Sequence, residues 1–251
     1  MQKEQQIETK FELSPVPELF VVQDAATING GSAVVDLQEL FRIARTNRSA
    51  HTDLPLDRFF NRIIKRISDI IIAGFLSVFV LSWLIPLLAV IIKIDSRGPI
   101  FFLQKRNKRN GDAFTCIKFR SMIVNANADS LPANKDDKRI TRVGKFLRNH
   151  YIDEFPQLLN VLWGDMSIIG PRPHMISDNI KYEEMLHSYN DRHRVKPGIT
   201  GLAQVMGYVG NSDGVQHMID RVAIDNFYVR HWSFSLDMKI LFRTISRIFP
   251  A

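Results

Sequence analysis

Residues 70–92 read IIIAGFLSVFVLSWLIPLLAVII, a run of 23 positions without a charge. About 20 apolar helical residues cross a bilayer core, so this run limits the possible folds more than any other feature of the chain. The alternative is a buried helix of a soluble domain. The length and the all-round apolarity favour the membrane. The run begins too deep in the chain for a secretory signal, and no small-residue cleavage pattern follows it.

The flanks bear on topology. Arg58, Arg62, Lys65 and Arg66 precede the run, and Lys93, Arg97, Lys105, Arg106, Lys108 and Arg109 follow it. Positive residues stay on the cytoplasmic side, and a spanning helix would expose one basic flank outside. Both flanks remain inside if the helix enters and turns back. Pro86 offers the break, because it lacks an amide donor and clashes with the preceding turn. Ser82, four residues earlier, can satisfy part of the freed backbone. A Pro-kinked spanning helix is the competing reading. The basic flanks also suit membrane lipids, at ~1 kcal/mol per Lys or Arg near an anionic surface.

Thirty-three Lys and Arg against 26 Asp and Glu give a net charge of +7, which points to an anionic partner. No nucleic-acid reading module accompanies that charge, so nucleic acid is excluded as a partner. The single cysteine, Cys116, rules out an internal disulfide and a multi-cysteine zinc site, and reads as a small core residue.

Three regions follow: an N-terminal extension over 1–55, regulatory or partly disordered; the membrane helix and its basic flanks over 56–97; and a catalytic domain over 98–251. Strands are expected over 100–104 and 114–119, with Asn110-Gly111 as the hairpin turn between them. Helices are expected over 142–149, 153–162, 178–193, 215–232 and 236–248, and a polar loop over 126–138. The last helix is amphipathic and basic, which suits a membrane interface or the core. The fold class is α+β, mostly helical: a re-entrant membrane helix, a small cytoplasmic α/β catalytic domain, and amphipathic interface helices.

The candidate chemistry lies in four clusters. Asp153-Glu154 is an adjacent acidic pair near Arg148. Gly170-Pro171-Arg172-Pro173 is a stiff turn that presents one guanidinium, a good phosphate ligand. Lys196-Pro197-Gly198-Ile199-Thr200-Gly201 joins a point charge to two glycines, Gly198 and Gly201, that permit close approach of a ligand. Lys118 and Arg120 share one face if their segment is a strand. Acids, separate cations and a membrane segment together suit phosphoryl transfer at a membrane surface.

From about residue 59 to 249 the chain resembles the bacterial sugar transferases, the monotopic polyprenyl-phosphate phosphoglycosyl transferases. The matching stretches are KRISD at 65–69, IKFRSM at 117–122, IDEFPQLLNVLWGDMSIIGPRP at 152–173 and VKPGITGLAQV at 195–205. Asp225, Tyr228 and Asp237 match the family's C-terminal pattern. The 206–209 loop and the 225–232 stretch look most like the colanic-acid-type UDP-glucose lipid carrier transferases.

The resemblance implies transfer of a hexose 1-phosphate, glucose or galactose, from a UDP-sugar to undecaprenyl phosphate. UMP is released, and exopolysaccharide, capsule or O-antigen synthesis begins. Asp153 would be the nucleophile of a covalent aspartyl-phosphosugar intermediate. Glu154, beside Asp153, would ligate Mg2+, and Arg148 and Arg172 would sit near the transferred phosphate. Lys118, Arg120, Lys196, Gly198, Gly201 and Asp225 complete the expected substrate site. The protein would lie in the inner membrane with its catalytic domain facing the cytoplasm, and a homodimer is left open. The chain departs from the pattern at Ile85, where the family often has Ser, and at Leu202, where Trp is usual. Met206-Gly207-Tyr208-Val209 also lacks a common loop arginine. The alternative function is an inactive, membrane-bound assembly partner of a polysaccharide machine.

Overall fold

The computed structural model describes residues 53–125, 137–209 and 214–248. The expectations for the N-terminal extension up to residue 52, and for the polar loop over 126–136, lie outside the described residues.

The apolar run forms the middle of a 37-residue helix, Phe59–Asp95. It comprises α1 (Phe59–Leu76), a π turn (Ser77–Leu81) and α2 (Ser82–Asp95). Helical backbone continues through Pro86, so the expected break at that residue is not seen. The irregularity sits one turn earlier. There Ser82 Oγ donates to the Val78 carbonyl at 2.6 Å, and Trp83 Nε1 donates to the Phe79 carbonyl at 2.8 Å. A widened turn ahead of Pro86 gives the ring room, and neighbouring side chains satisfy the backbone locally.

One stripe of this helix is buried: Lys65, Asp69, Ala73, Leu81, Leu84, Leu88 and Ile92. Most of the rest is exposed and apolar, including Ile71, Phe75, Val78, Phe79, Trp83 and Val90.

Both ends of the helix bind the same globular unit. At the first end Lys65 Nζ donates to Asp237 Oδ2 at 2.7 Å and to the Ile169 carbonyl at 2.8 Å. Asp69 Oδ1 accepts from Ser167 Oγ and the Ile168 amide, both at 2.9 Å. At the second end the Arg120 guanidinium donates to the carbonyls of Ile92, Ser96 and Arg97. Two of these carbonyls, Ser96 and Arg97, lie just past the helix end at Asp95, so the guanidinium ties down the chain as it leaves the helix.

The globular unit starts with an antiparallel hairpin of β1 (Phe101–Asn107) and β2 (Ala113–Phe119), in register from Phe101↔Phe119 to Asn107↔Ala113. Asn110 and Gly111 both take left-handed backbone at its turn, the conformation their residue types tolerate best. Then come α3 (Arg142–Asn149), α4 (Gln157–Trp163) and β3 (Ser167–Ile169). They are followed by α5 (Ile176–Met185), β4 (Gly198–Thr200), α6 (Leu202–Val205), α7 (Gly214–His231) and α8 (Phe234–Ile248).

The pairing of β3 with β4 is parallel, and the sequence offered no sign of it. The helix expected over 178–193 ends instead at Met185, and Tyr189–Arg194 forms a separate 3-10 turn.

Leu147, Leu158, Val161, Phe114, Cys116 and Phe119 share one core with Leu84, Leu88 and Ile92 of α2. The buried Asn160 of α4 fixes the hairpin beside that helix. Its Oδ1 accepts the Ile117 amide at 3.0 Å, and its Nδ2 donates to the Thr115 carbonyl at 2.8 Å. Along α8, Phe242 and Ile245 remain exposed beside exposed Arg243, in keeping with the interfacial reading of that helix.

Candidate active site

The acidic pair lies in a tight turn between α3 and α4. A helix expected over 153–162 begins only at Gln157, because Pro156 has no amide to donate and sits at the N-cap. Tyr151 adopts left-handed backbone at φ 56°, rare for a bulky residue, and opens a 3-10 turn over Ile152–Glu154. That turn carries both carboxylates inward. Asp153 is 7% exposed and Glu154 6%.

Their surroundings differ. Arg172 Nη1 donates to Glu154 Oε2 at 2.8 Å, Arg172 Nη2 reaches Oε1, and Lys118 Nζ donates to Oε1 at 2.8 Å. Asp153 takes no hydrogen bond from any described residue. Burial and the adjacent Glu154 carboxylate push Asp153 up to about 6, although Lys118, Arg148 and Arg172 pull it down. Burial alone would raise Glu154 as well. There Arg172 and Lys118 outweigh burial and hold it well below the usual carboxylate range. One acid is therefore permanently ionised and clamped. The other is unclamped and gains its charge only near neutral pH.

Lys118 reaches the pair because strand alternation places it on the buried face of Phe114 and Cys116. Arg148 leaves the last turn of α3, and its guanidinium has no hydrogen-bond partner among the described residues.

The turn carrying Arg172 is held at four backbone groups. The Gly170 amide donates to the Thr200 carbonyl at 2.9 Å, and the Pro171 carbonyl accepts the Gly198 amide at 3.0 Å. The Arg172 carbonyl accepts Arg192 Nη2 at 2.5 Å, and the Pro173 carbonyl accepts Arg106 Nη1 at 3.4 Å. Arg192 is buried and paired with Asp225 Oδ2 at 2.8 Å. Its other arm meets His174 Nδ1 at 2.5 Å, and burial with neighbouring arginines keeps that imidazole neutral.

The expected substrate residues therefore divide. Asp153, Glu154, Lys118 and Arg172 come together, and Arg148 stands nearby. Arg120 does not join them. The strand ends at Phe119, and the guanidinium turns to the helix carbonyls described above. Gly198 and Gly201 pack closely against the Gly170 backbone. A Cβ on Gly198 would lie 2.1 Å from the Gly170 nitrogen, and one on Gly201 2.2 Å from the Gly170 oxygen. Asp225 acts through Arg192, one step behind Arg172. Lys196 lies beside Arg66 and Gly164, beyond α4 from the acidic pair. Arg192, Arg106 and His174 escaped the sequence reading. Only their spacing from buried partners distinguishes them from ordinary surface cations, and no local pattern shows it.

A divalent cation has a workable donor set here. Mg2+ is commonly held by one or two carboxylates with substrate phosphates supplying the rest. The adjacent acids provide two such groups. Among the described residues no three His, Cys, Asp or Glu side chains form a complete cage.

A clamped acid, an unclamped acid and convergent cations thus lie in one unit with a helix long and apolar enough to cross a membrane. The chain belongs to the bacterial sugar transferase family, whose model matches residues 60–251. It is 43% identical over 198 residues to the UDP-glucose:undecaprenyl-phosphate glucose-1-phosphate transferase of Klebsiella pneumoniae, covering 78% of this chain and 42% of that protein. It is 41% identical over 192 residues to the protein of the same name from Caulobacter vibrioides, covering 76% and 72%. It is also 41% identical over 187 residues to the UDP-N-acetylgalactosamine-undecaprenyl-phosphate N-acetylgalactosaminephosphotransferase of Aeromonas hydrophila, covering 74% and 43%. The chain spans about two-fifths of the length of the first curated relatives it matches.

Proposed function

We propose that this chain transfers a hexose 1-phosphate, glucose 1-phosphate in the first instance, from a UDP-sugar to undecaprenyl phosphate. The observation that carries the reading is Asp153: a buried carboxylate with no hydrogen-bond partner among the described residues, next to a carboxylate bonded at both oxygens by Arg172 and Lys118. The names of the relatives support the substrates, and glucose is the sugar of two of the three described above.

In this reading an oxygen of ionised Asp153 attacks the phosphorus that bears the sugar. The bond from that phosphorus to the bridging oxygen breaks, and UMP leaves with the electron pair. An aspartyl-phosphosugar remains. An oxygen of undecaprenyl phosphate then attacks the same phosphorus, the aspartyl oxygen departs, and the carboxylate is restored. Arg172, Lys118 and Arg148 bind the phosphoryl oxygens and balance charge as it shifts. The diphosphate competes with Glu154 for Arg172 and Lys118, which frees Glu154 oxygens. Glu154, with Asp153 beside it, would hold Mg2+, which supplies further neutralisation of the diphosphate.

The reading places the catalytic unit on the cytoplasmic side of the inner membrane, with the apolar run entering and returning. Support comes from the anchors: residues 65–69 and 92–97 flank the run, and both bind the same globular unit.

The test is UMP release from UDP-sugars by purified protein with undecaprenyl phosphate and Mg2+, together with mass spectrometry of protein incubated without the lipid. Lipid-dependent UMP release and a sugar-phosphate adduct on the peptide bearing Asp153, both absent in Asp153→Asn and after chelation, are expected. UMP release by Asp153→Asn at the wild-type rate overturns the nucleophile assignment.

A further inference from the structure

At the far end of α4 from the acidic pair, about 10 Å along the helix, lies a second group of cations. Gly164 caps α4 in left-handed backbone, and a Cβ built on it would lie 3.4 Å from Lys196 Nζ and 3.6 Å from Arg66 Nη2. The two cations therefore converge above the helix end. Arg66 is fixed there by its own bonds, donating to the carbonyls of Val161 at 2.5 Å and Leu162 at 2.7 Å. Lys196 is half-buried, and its ammonium has no hydrogen-bond or ion-pair partner among the described residues.

Two acids stand near it, and each is engaged elsewhere. Asp165 holds Lys108 at 2.9 Å, and Asp69 accepts from Ser167 and the Ile168 amide. An ammonium that loses water without gaining an acceptor is costly, and burial beside Arg66 pushes Lys196 below the ordinary lysine range. Arg109 and the Lys108–Asp165 pair lie on one side of the site, and exposed apolar side chains flank it in sequence. Ile63 and Ile70 share the Arg66 face of α1 at i−3 and i+4, and Trp163, next to Gly164, is 67% exposed. Exposed aromatic and aliphatic side chains around fixed cations are the pattern of a membrane–water interface.

We propose that Lys196 and Arg66 form a receptor for the phosphate group of a lipid, separate from the Asp153–Glu154 centre. The pre-fixed guanidinium supplies charge and Lys196 supplies three free donors. The phosphate belongs to the polyprenyl acceptor, waiting one helix length from the reaction centre, or to a bilayer headgroup that seats the domain. The inference rests on the membrane part of the reading above and does not require turnover.

The test is the acetylation rate of Lys196 in the full chain, read by mass spectrometry. The protein is held in a maltoside detergent, which carries no phosphate, with exposed Lys145 and Lys239 as internal references. Undecaprenyl phosphate, undecaprenol, phosphatidylglycerol and inorganic phosphate are added separately. Several-fold slowing at Lys196 alone is expected from a phosphate-bearing lipid, in wild type and Asp153→Asn alike. Protection by undecaprenyl phosphate only assigns the acceptor, and protection by phosphatidylglycerol only assigns a headgroup. Equal protection by both supports a receptor for either. Protection by none of them, or by undecaprenol as strongly as by its phosphate, overturns the proposal. Because Asp153→Asn binds in the same way, failure here is distinct from failure of the transferase reading.

Discussion

The Arg172 guanidinium lies along both carboxylate oxygens of Glu154, while Asp153, the adjacent residue, takes no hydrogen bond from any described residue. The two acids share a backbone turn and two nearby cations, Lys118 and Arg172. Their difference follows from which of them the fork and Lys118 reach. Glu154 is thereby made a fixed anion, and burial together with its field raises Asp153.

That coupling predicts the pH dependence. In the proposed reaction turnover requires ionised Asp153, so the acid limb of the rate profile should fall near pH 6. Glu154→Gln removes the repelling charge and should move that limb to lower pH, even if the rate itself drops. The stability sign is opposite to that of a salt-bridged acid. The folded-state value lies above the unfolded 3.8, so stability from this group is present at low pH and is lost between 3.8 and about 6. Asp153→Asn should therefore melt higher than wild type at neutral pH, by about 2–4 °C per kcal/mol relieved. The gain should vanish near pH 4 in thermal scans.

Arg192 and Asp225 should separate stability from function. Removing Asp225 takes the carboxylate from two buried arginines, Arg192 and Arg221, at a cost of about 3–5 kcal/mol, while removing Arg192 leaves Asp225 facing Arg221. The double replacement Arg192→Met with Asp225→Leu should recover the part of that loss owed to Arg192 in denaturant titrations, since Arg221 stays buried. It should not recover turnover, because the Arg172 carbonyl stays unclamped. Restored turnover would show that the pair only supports the core.

Gly198→Ala tests the strand pairing behind the Arg172 turn. Its Cβ would meet the Gly170 nitrogen at 2.1 Å and the Thr200 oxygen at 2.4 Å, both backbone atoms. Destabilisation of about 1–3 kcal/mol is expected. Turnover should also fall when measured well below the melting temperature, as Arg172 is displaced.

The path of the apolar run can be read by labelling. Cys116 is buried and stays silent, so single cysteines at Arg58 and Arg97, both exposed, report cleanly. Both should react in inside-out vesicles and neither in intact cells. Reaction of one site only from outside would mean a spanning helix.

Much of this was legible in the residues, because it depends on short stretches of chain. Apolar length marked the long apolar helix, and the tolerance of Asn110-Gly111 for left-handed backbone marked the hairpin turn. Helical periodicity placed α3, α7 and α8 to within about two residues. Adjacent acids and a proline-stiffened arginine pointed to Asp153, Glu154 and Arg172.

The rest was decided by partners far along the chain. As sequence, Arg120 and Arg172 look alike: each is a cation beside a turn. One caps a helix end 24 residues back, and the other clamps an acid 18 residues back. Lys65 finds Asp237 across 172 positions, and Gly198 packs against Gly170 across 28. Hydropathy, periodicity and backbone tolerance belong to a residue and its near neighbours, so sequence alone determines them. The acceptor that a long polar side chain finds depends on which elements pack together, and only the tertiary structure decides that.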